Sequence, residues 1–388
     1  MSDDLAVADD DLDGDAPVAS HRLSAARFLD RTMIGRTVIL TAITIAAITP
    51  PMYLGTPWLR VLSYVMIGAV GAMGLTLLTG QAGQLSLATP FFMLVGGVTY
   101  CVLGSPDRPH KVGYGWPTWL AMLGAVLVAS LLGLAFAPVA GRVRGVYLGV
   151  ATLSVVYFGL YAGQRWTSLT GGTANGRPTP DLNIFGITFL HHDNREKRVF
   201  YLFLALTLLA YLFARGAVRS RPGRAWRAIR DNESAASALG VPVKRVRSEA
   251  FAISSGYAGL AGVMTVLWYR LMKPDESEFV GTFSIQVAIA FLAMILIGGL
   301  GSVGGAIAGS ALVNGLPGAM TLWIGSNHLF GSGDTAVTPV IFTAYVYGTA
   351  VVLVVLFEPG GLAALGRRGY HLVSRSALGP FLPPPKGN

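Results

Sequence analysis

The chain is poor in charge and nearly devoid of cysteine. Only 13% of its 388 residues are charged, 29 Lys or Arg and 20 Asp or Glu, where a soluble domain carries roughly a quarter. That scarcity excludes a disordered chain, a coiled coil, a collagen and most soluble enzymes. Cysteine occurs once, at Cys101 in an apolar run, so no internal disulfide can form; the residue reads as a small core side chain. No Asp or Glu lies well inside any long apolar run, Glu249 and Glu358 standing at run ends, and all six histidines fall in tails or loops. Proton-driven transporters usually need a titratable group at membrane depth, so proton coupling is disfavoured, while sodium held by carbonyls and hydroxyls stays open. No Ser/His pair and no H-E-x-x-H sequence occupies the apolar runs, which disfavours an intramembrane protease or metalloenzyme. The chain also lacks G-x-x-x-x-G-K-[ST], so it has no P-loop with which to hydrolyse ATP. Uphill movement of a solute would then draw its energy from another chain, and no cofactor or metal is expected in this one.

What the chain does have is 53% hydrophobic side chains and 49 glycines, against about 27 at average usage. Few charges and many small residues together describe a helical membrane protein. Apolar runs near the length of a bilayer fall at about 36–54, 58–80, 85–103, 116–139, 145–164, 198–216, 249–268, 284–300, 302–320 and 338–357. The expected fold class is therefore an all-α integral membrane protein of about ten transmembrane helices. With the N-terminus inside, 19 of the 29 Lys and Arg lie on the cytoplasmic side, nine of them between positions 215 and 247, and loop 321–337 has none. That bias predicts cytoplasmic N- and C-termini. Residues 1–15 hold seven aspartates and no Lys or Arg, so 1–30 reads as a disordered acidic cytoplasmic tail. A polytopic domain over 31–365 and a cytoplasmic C-terminal tail over 366–388, ending in Pro383, Pro384 and Pro385, complete the expected organisation.

The cytoplasmic segment 217–248 carries the most information. After Pro222 and Gly223 the sequence RAWRAIRDNESAASALG is rich in helix formers, and Gly240 followed by Pro242 supplies a stop. The spacing predicts one short amphipathic helix over 224–240 with Trp226, Ile229, Glu233, Ala236 and Gly240 on a common face. Such a helix suits a groove in a partner protein; equally, its arginines suit lipid headgroups.

Two glycine-rich breaks interrupt the apolar runs, one in each half: 80–86 (GQAGQLS) and 298–305 (GGLGSVGG). Matched breaks often line a transport pathway, where unwound backbone and amide side chains face a cavity. Gln81, Gln84, Ser86 and Thr89, with Gly298, Gly299, Gly301 and Ser302, are the candidate pathway residues, suited to a zwitterion or neutral polar solute. Tight turns between adjacent helices explain the same residues. The G-x-x-x-G spacings 301/305/309 and 145/149 read as helix packing. Tyr157, Tyr161 and Gln164 share a face near one end of a span, as an interfacial aromatic belt or a solute contact would require. The long polar loop 165–197 is a candidate docking surface, with Arg177, Asp181, Asp193 and Glu196 as rim charges.

The run DNESAASALG at 231–240 resembles the E-A-A-x-x-x-G coupling motif of ABC importer permeases. More narrowly, 227–262 together with 74–87 (GLTLLTGQAGQLSL), 297–309 (IGGLGSVGGAIAG) and 356–362 (LFEPGGL) is similar to branched-chain amino acid permeases of the LivM type. With the T-G-G…G-R-P loop at 170–178, the resemblance covers roughly 60–365. It implies a transport subunit, not an enzyme, that moves branched-chain amino acids or a similar small polar solute by alternating access; relatives carry urea and other small amides. A self-sufficient channel or sodium-driven carrier is the alternative from another class. The resemblance further implies a multi-pass location in a bacterial plasma membrane. The implied partners are two cytoplasmic ATPase subunits that hold the ATP and magnesium, a second homologous permease of the LivH type, an extracytoplasmic solute-binding protein and membrane lipid, with no nucleic acid. It assigns ATPase coupling to Glu233, Ala235, Ala236 and Gly240, with Trp226 and Ile229 on the same helix. One departure stands out: the family continues Gly-His after 84–87, whereas this chain has Ala88, Thr89 and Pro90, so Thr89 replaces that histidine or the solute differs.

Overall fold

In a computed structural model of the chain, the described residues are 49–107, 111–140, 142, 145–184, 187–189, 194–274 and 283–327, with 342, 345–346, 348–349, 351–353, 356 and 360–364 beyond them. The chain divides into two compact units, Met1–Tyr53 and Leu54–Asn388. Of the first, a single helical turn α1 (Pro50–Tyr53) and its lead-in are described. The expected acidic tail, the expected span 36–54 up to residue 48, just over half of 338–357 and the C-terminal tail lie outside the described residues.

Within the second unit, eight of the expected spans coincide with helices. They are α2 (Thr56–Leu75), which continues as a π-helical turn Thr76–Gln81, α3 (Thr89–Gly104), α4 (Thr118–Ala140) and α5 (Val146–Arg165). Two single turns, α6 (Thr167–Thr170) and α7 (Gly172–Asn175), precede the long α8 (Arg195–Arg219). Two short helices, α9 (Arg221–Asp231) and α10 (Glu233–Ala238), lead into α11 (Val243–Tyr269). Then come α12 (Ile285–Gly298), α13 (Val303–Ser310), a second π turn Ala311–Gly315 and α14 (Leu316–Asn327). Five of these stretches are long and apolar enough to cross a membrane: Thr56–Gln81, Thr118–Pro138, Arg195–Arg219, Val243–Tyr269 and Val303–Trp323. Strand content is small: β1 (Arg177–Pro178) pairs antiparallel with β4 (Leu271–Met272), and β2 (Asn183–Ile184) with β3 (Ile187–Thr188).

Helices α2 and α11 form the inner layer, with 78% and 83% of their apolar windows buried, while α4 and α8 at 28% and 33% lie outside. The reason is written in side-chain size. Gly68, Gly71 and Gly74 line one face of α2, where an added Cβ would meet Asn314 and Ser310, Phe291, and Tyr257. On α11, a Cβ at Gly259 would meet Ala129 and one at Gly262 the backbone of Met93. Apolar helices gain little by burying leucine against leucine in lipid, so close approach of backbones at small residues replaces that drive. Two polar ties lock the layer: Tyr257 Oη donates to Ala210 O at 2.7 Å, and Ser310 Oγ to Val65 O at 2.7 Å. By contrast Leu123, Leu127, Leu131 and Leu134 form an exposed stripe along α4, the face of a helix that meets lipid or another apolar chain.

Replacing Gly262 by Val forces a branched side chain into the Met93 backbone and should cost about 2–3 kcal/mol. Gly304, with open space around it, is the control. Thermal unfolding in detergent checks both: Gly262→Val should melt several degrees lower, and Gly304→Ala close to the unaltered chain.

Candidate functional site

The segment expected to form one helix over 224–240 is two. Helix α9 stops at Asp231, Asn232 is extended (φ −157°, ψ 105°), and its side-chain oxygen accepts from Ala235 N at 3.0 Å to cap α10. Asparagine competes for backbone donors and is among the best N-caps, so it restarts the helix instead of passing it through. Gly240 at φ +81° then closes α10.

The break corrects a second expectation. Trp226 and Ile229 do not face outward: Trp226 is fully buried and its Nε1 donates to Val246 O at 3.2 Å, and Ile229 and Ala236 are buried as well. The apolar side of α9 covers the start of α11, because that is the apolar surface within its reach. Besides Arg224, Arg227 and Arg230 of α9, the segment presents outward Ser234, Ala235, Ser237, Ala238, Leu239 and Gly240, with Leu239 85% exposed. Glu233 is held from behind by a fork, Arg247 Nη1 and Nη2 donating to its two carboxylate oxygens at 3.0 and 2.9 Å. A groove of about 910 Å³ runs beside it, lined among others by Glu233, Ala238, Arg142, Lys244 and Arg245.

The two glycine breaks, separated by some 220 positions, meet. Gln81 Nε2 donates to Gly301 O at 2.6 Å, and a Cβ on Gly80 would collide with the Gly301 backbone. Gly83 (φ +70°) and Gly301 (φ +81°) adopt left-handed conformations that side chains resist. Gln81, Gln84, Ser86 and Thr89 are all buried. Thr79 Oγ1 donates to Gln84 O, Ser86 Oγ accepts from Ala88 N, and Thr89 opens α3. Gln81 Oε1 and Gln84 Nε2 are buried with no protein partner. Across the junction Ser302 caps α13 by accepting from Gly305 N at 3.0 Å. Gly298 and Gly305 face one another so closely that neither tolerates a side chain, and Gly361 abuts Gly299 in the same way.

Sequence reasoning missed Arg230. Its Nη1 donates to Gly80 O at 2.7 Å, and its stem packs where a Gly83 side chain would stand. As one of nine basic residues between 215 and 247 it carried no separate signal. Among the expected rim charges, Arg177 is buried, with Nη1 donating to Leu169 O at 3.2 Å; the glycine turns fold the loop over it. Asp181 is exposed, Glu196 pairs with Arg60 at 3.0 Å, and Asp193 lies outside the described residues. Tyr157 and Tyr161 are exposed on α5, with Arg165 over the Tyr161 ring. Among the described residues no group of three or more His, Cys, Asp or Glu could hold a metal ion.

A layered bundle of small-residue-packed apolar helices, five of them long enough to cross a membrane, with matched backbone breaks and a basic helical segment docked against them, describes a polytopic membrane protein. Residues 58–357 match the branched-chain amino acid transport system permease component family, and the chain belongs to that family. It is 25% identical to the high-affinity branched-chain amino acid transport system permease protein LivM of Escherichia coli, over 90% of this chain and 80% of that one. It is 27% identical to LivH of the same organism, over 63% of this chain and 79% of that one. The autoinducer 2 import system permease protein LsrC of Salmonella typhi is 30% identical over 67% and 75% of the two chains. No solved structure matches significantly. The chain is thus a multi-pass membrane permease component of the bacterial inner membrane.

The Glu233–Arg247 fork predicts a coupled pair. Single alanine variants at Glu233 and Arg247 should each lower thermal stability, and the double variant should fall short of their sum by about 1 kcal/mol, the value for a partly exposed bidentate pair. Denaturation of the three variants in detergent measures it, and strict additivity contradicts the pairing.

Proposed function

We propose that this chain is the transmembrane subunit of an ABC importer, moving branched-chain amino acids or a similar small, uncharged or zwitterionic solute by alternating access. Two separate ATPase subunits bind ATP and magnesium, close on one another, and pull on the surface formed by Ala235, Ala238, Leu239 and Gly240. Trp226 and Ile229 anchor that surface to α11 and do not touch the ATPase. Glu233, locked to Arg247, fixes its angle. About ten helices with both termini cytoplasmic put this surface in the cytosol, as the concentration of basic residues around it favours. A second homologous permease completes the pore, and a solute-binding protein delivers the solute on the opposite face, near Asp181.

The observation that carries the reading is the direct attachment of the outward-presenting segment to the paired breaks, since a segment that only anchored to lipid would need no such tie. The unpartnered amide atoms of Gln81 and Gln84 support a pathway for polar solutes: Gln81 Oε1 can accept from, and Gln84 Nε2 can donate to, a solute or water that reaches them. Relatives named for branched-chain amino acids and for autoinducer 2 fit a solute choice made largely elsewhere, in the binding protein.

Proteoliposomes test the reading. Radiolabelled leucine should enter only when this chain, its permease partner, the ATPases, ATP and the binding protein are all present. Leucine flux through this chain by itself, or ATP-independent accumulation driven by a sodium gradient, contradicts it and favours a channel or carrier.

A further inference from the structure

Two long-range hydrogen bonds share one corner of the molecule. Arg230 reaches 150 positions back to Gly80 O, and the adjacent Gln81 reaches 220 positions forward to Gly301 O. We propose that Arg230 is the residue through which displacement of the α9–α10 segment reaches both helix breaks. The inference rests on the permease reading above and deepens it. Arg230 is a positioning residue here, acting on the breaks and touching no solute.

The geometry fits the task. A guanidinium is a rigid planar fork with five donors. One side of the Arg230 fork holds Asp231 at 3.0 Å, on its own helix, and the other holds Gly80 O at 2.7 Å. Gly80 lies in the last turn of the π segment, where backbone carbonyls lack an onward partner and carry partial negative charge. A cation is the group best suited to hold such a carbonyl. The neighbouring backbone makes room for it at Gly83, where a Cβ would stand 2.9 Å from Arg230 Cγ, while the bare Gly80 lets the Gly301 backbone come against the same turn. From Gly301 the connection continues at once into Ser302, the cap of α13. A displacement of α9 that carries α10 with it is therefore transmitted by three short links to two helices in opposite halves of the chain.

Two other attachments of the segment do not reach the breaks. The Trp226 bond to Val246 and the Glu233 fork to Arg247 both end on α11. The Arg230 side chain is 39% exposed, so its bond to Gly80 can break and re-form without disturbing the core. A claim of transmission requires two states of this contact, and the spin labels below are placed to read them.

The test uses the assembled importer in proteoliposomes, with Arg230→Gln and Arg230→Lys compared with the unaltered chain. Insertion and thermal unfolding report folding, and leucine uptake is measured against ATP hydrolysed. Arg230→Gln should leave hydrolysis within about twofold and cut uptake per ATP about tenfold, the effect of losing one charge-assisted hydrogen bond. Lysine, one point charge without a fork, should restore part of that loss. Spin labels at Ala228→Cys and Leu300→Cys, both exposed and outside the surface assigned to the ATPases, add a readout that a merely structural role leaves unmoved. Their separation should change between ATP-bound and nucleotide-free states in the unaltered chain and stay fixed in Arg230→Gln. If the glutamine variant fails to insert, the same two measurements on Arg230→Lys decide the matter: normal uptake per ATP with a normal label response overturns the inference. Normal coupling in Arg230→Gln overturns it equally, as does a parallel fall of uptake and hydrolysis, which assigns the residue to ATPase docking. An unaltered importer that shows no ATP-driven uptake overturns the permease reading itself and the inference with it.

Discussion

A helix interrupted in apolar surroundings exposes backbone N–H and C=O groups, and each one left unpaired costs several kcal/mol. The chain meets that constraint by setting its two interruptions against each other. The amide of Gln81 covers the carbonyl of Gly301, the guanidinium of Arg230 covers the carbonyl of Gly80, and Ser302 covers the Gly305 N–H in the first turn of α13. Much else follows from this arrangement. Glycine is required at 80, 83 and 301 because backbone or side chain from elsewhere fills the space of a Cβ, or because the backbone is left-handed. Gly298, Gly305 and Gly309 let α12 and α13 lie backbone to backbone, so the chain reverses within a few residues of the junction.

The inner and outer helices divide the remaining labour. Glycine, alanine and serine on α2 and α11 build a tight inner layer, while the leucine stripe of α4 and the apolar face of α8 with Leu208, Leu209, Leu212 and Phe213 remain uncovered in the single chain. Both π-helical turns adjoin α2, Thr76–Gln81 continuing it beside the junction and Ala311–Gly315, between α13 and α14, packing against it. Such turns recur at functional sites because the extra residue per turn reorients the side chains that follow. Here the first of them delivers Gln81 to Gly301.

Span positions were legible because membrane helices announce themselves in one dimension: twenty apolar residues are needed whatever the tertiary packing, and eight runs coincide with helices to within a few residues, α11 beginning earlier than its run. The breaks were visible as glycine clusters, but their pairing was not, since a contact across 220 positions leaves no periodic trace. Periodicity misjudged the 224–240 segment for a nameable reason. A wheel drawn through Asn232 assumes an unbroken helix, and the capping preference of asparagine overrode it. The same wheel ranked Trp226 as an outward anchor, although an apolar face is buried by whichever surface lies nearest, here the first turns of α11. Arg177 was read as a rim charge from its loop, yet a loop rich in glycine can fold over a guanidinium and satisfy it with carbonyls. Family resemblance carries the transport role; the contacts to Gly80 and Glu233 single out Arg230 and Arg247, which no motif distinguishes from their basic neighbours.

The central claim is that the two breaks behave as one mechanical joint. Hydrogen–deuterium exchange on the assembled transporter, with and without ATP, tests it most directly, because exchange reports local opening segment by segment. Peptides covering 78–88 and 296–306 should gain or lose protection together and at the same rate when nucleotide binds. Protection that changes in one segment while the other stays constant would contradict the account.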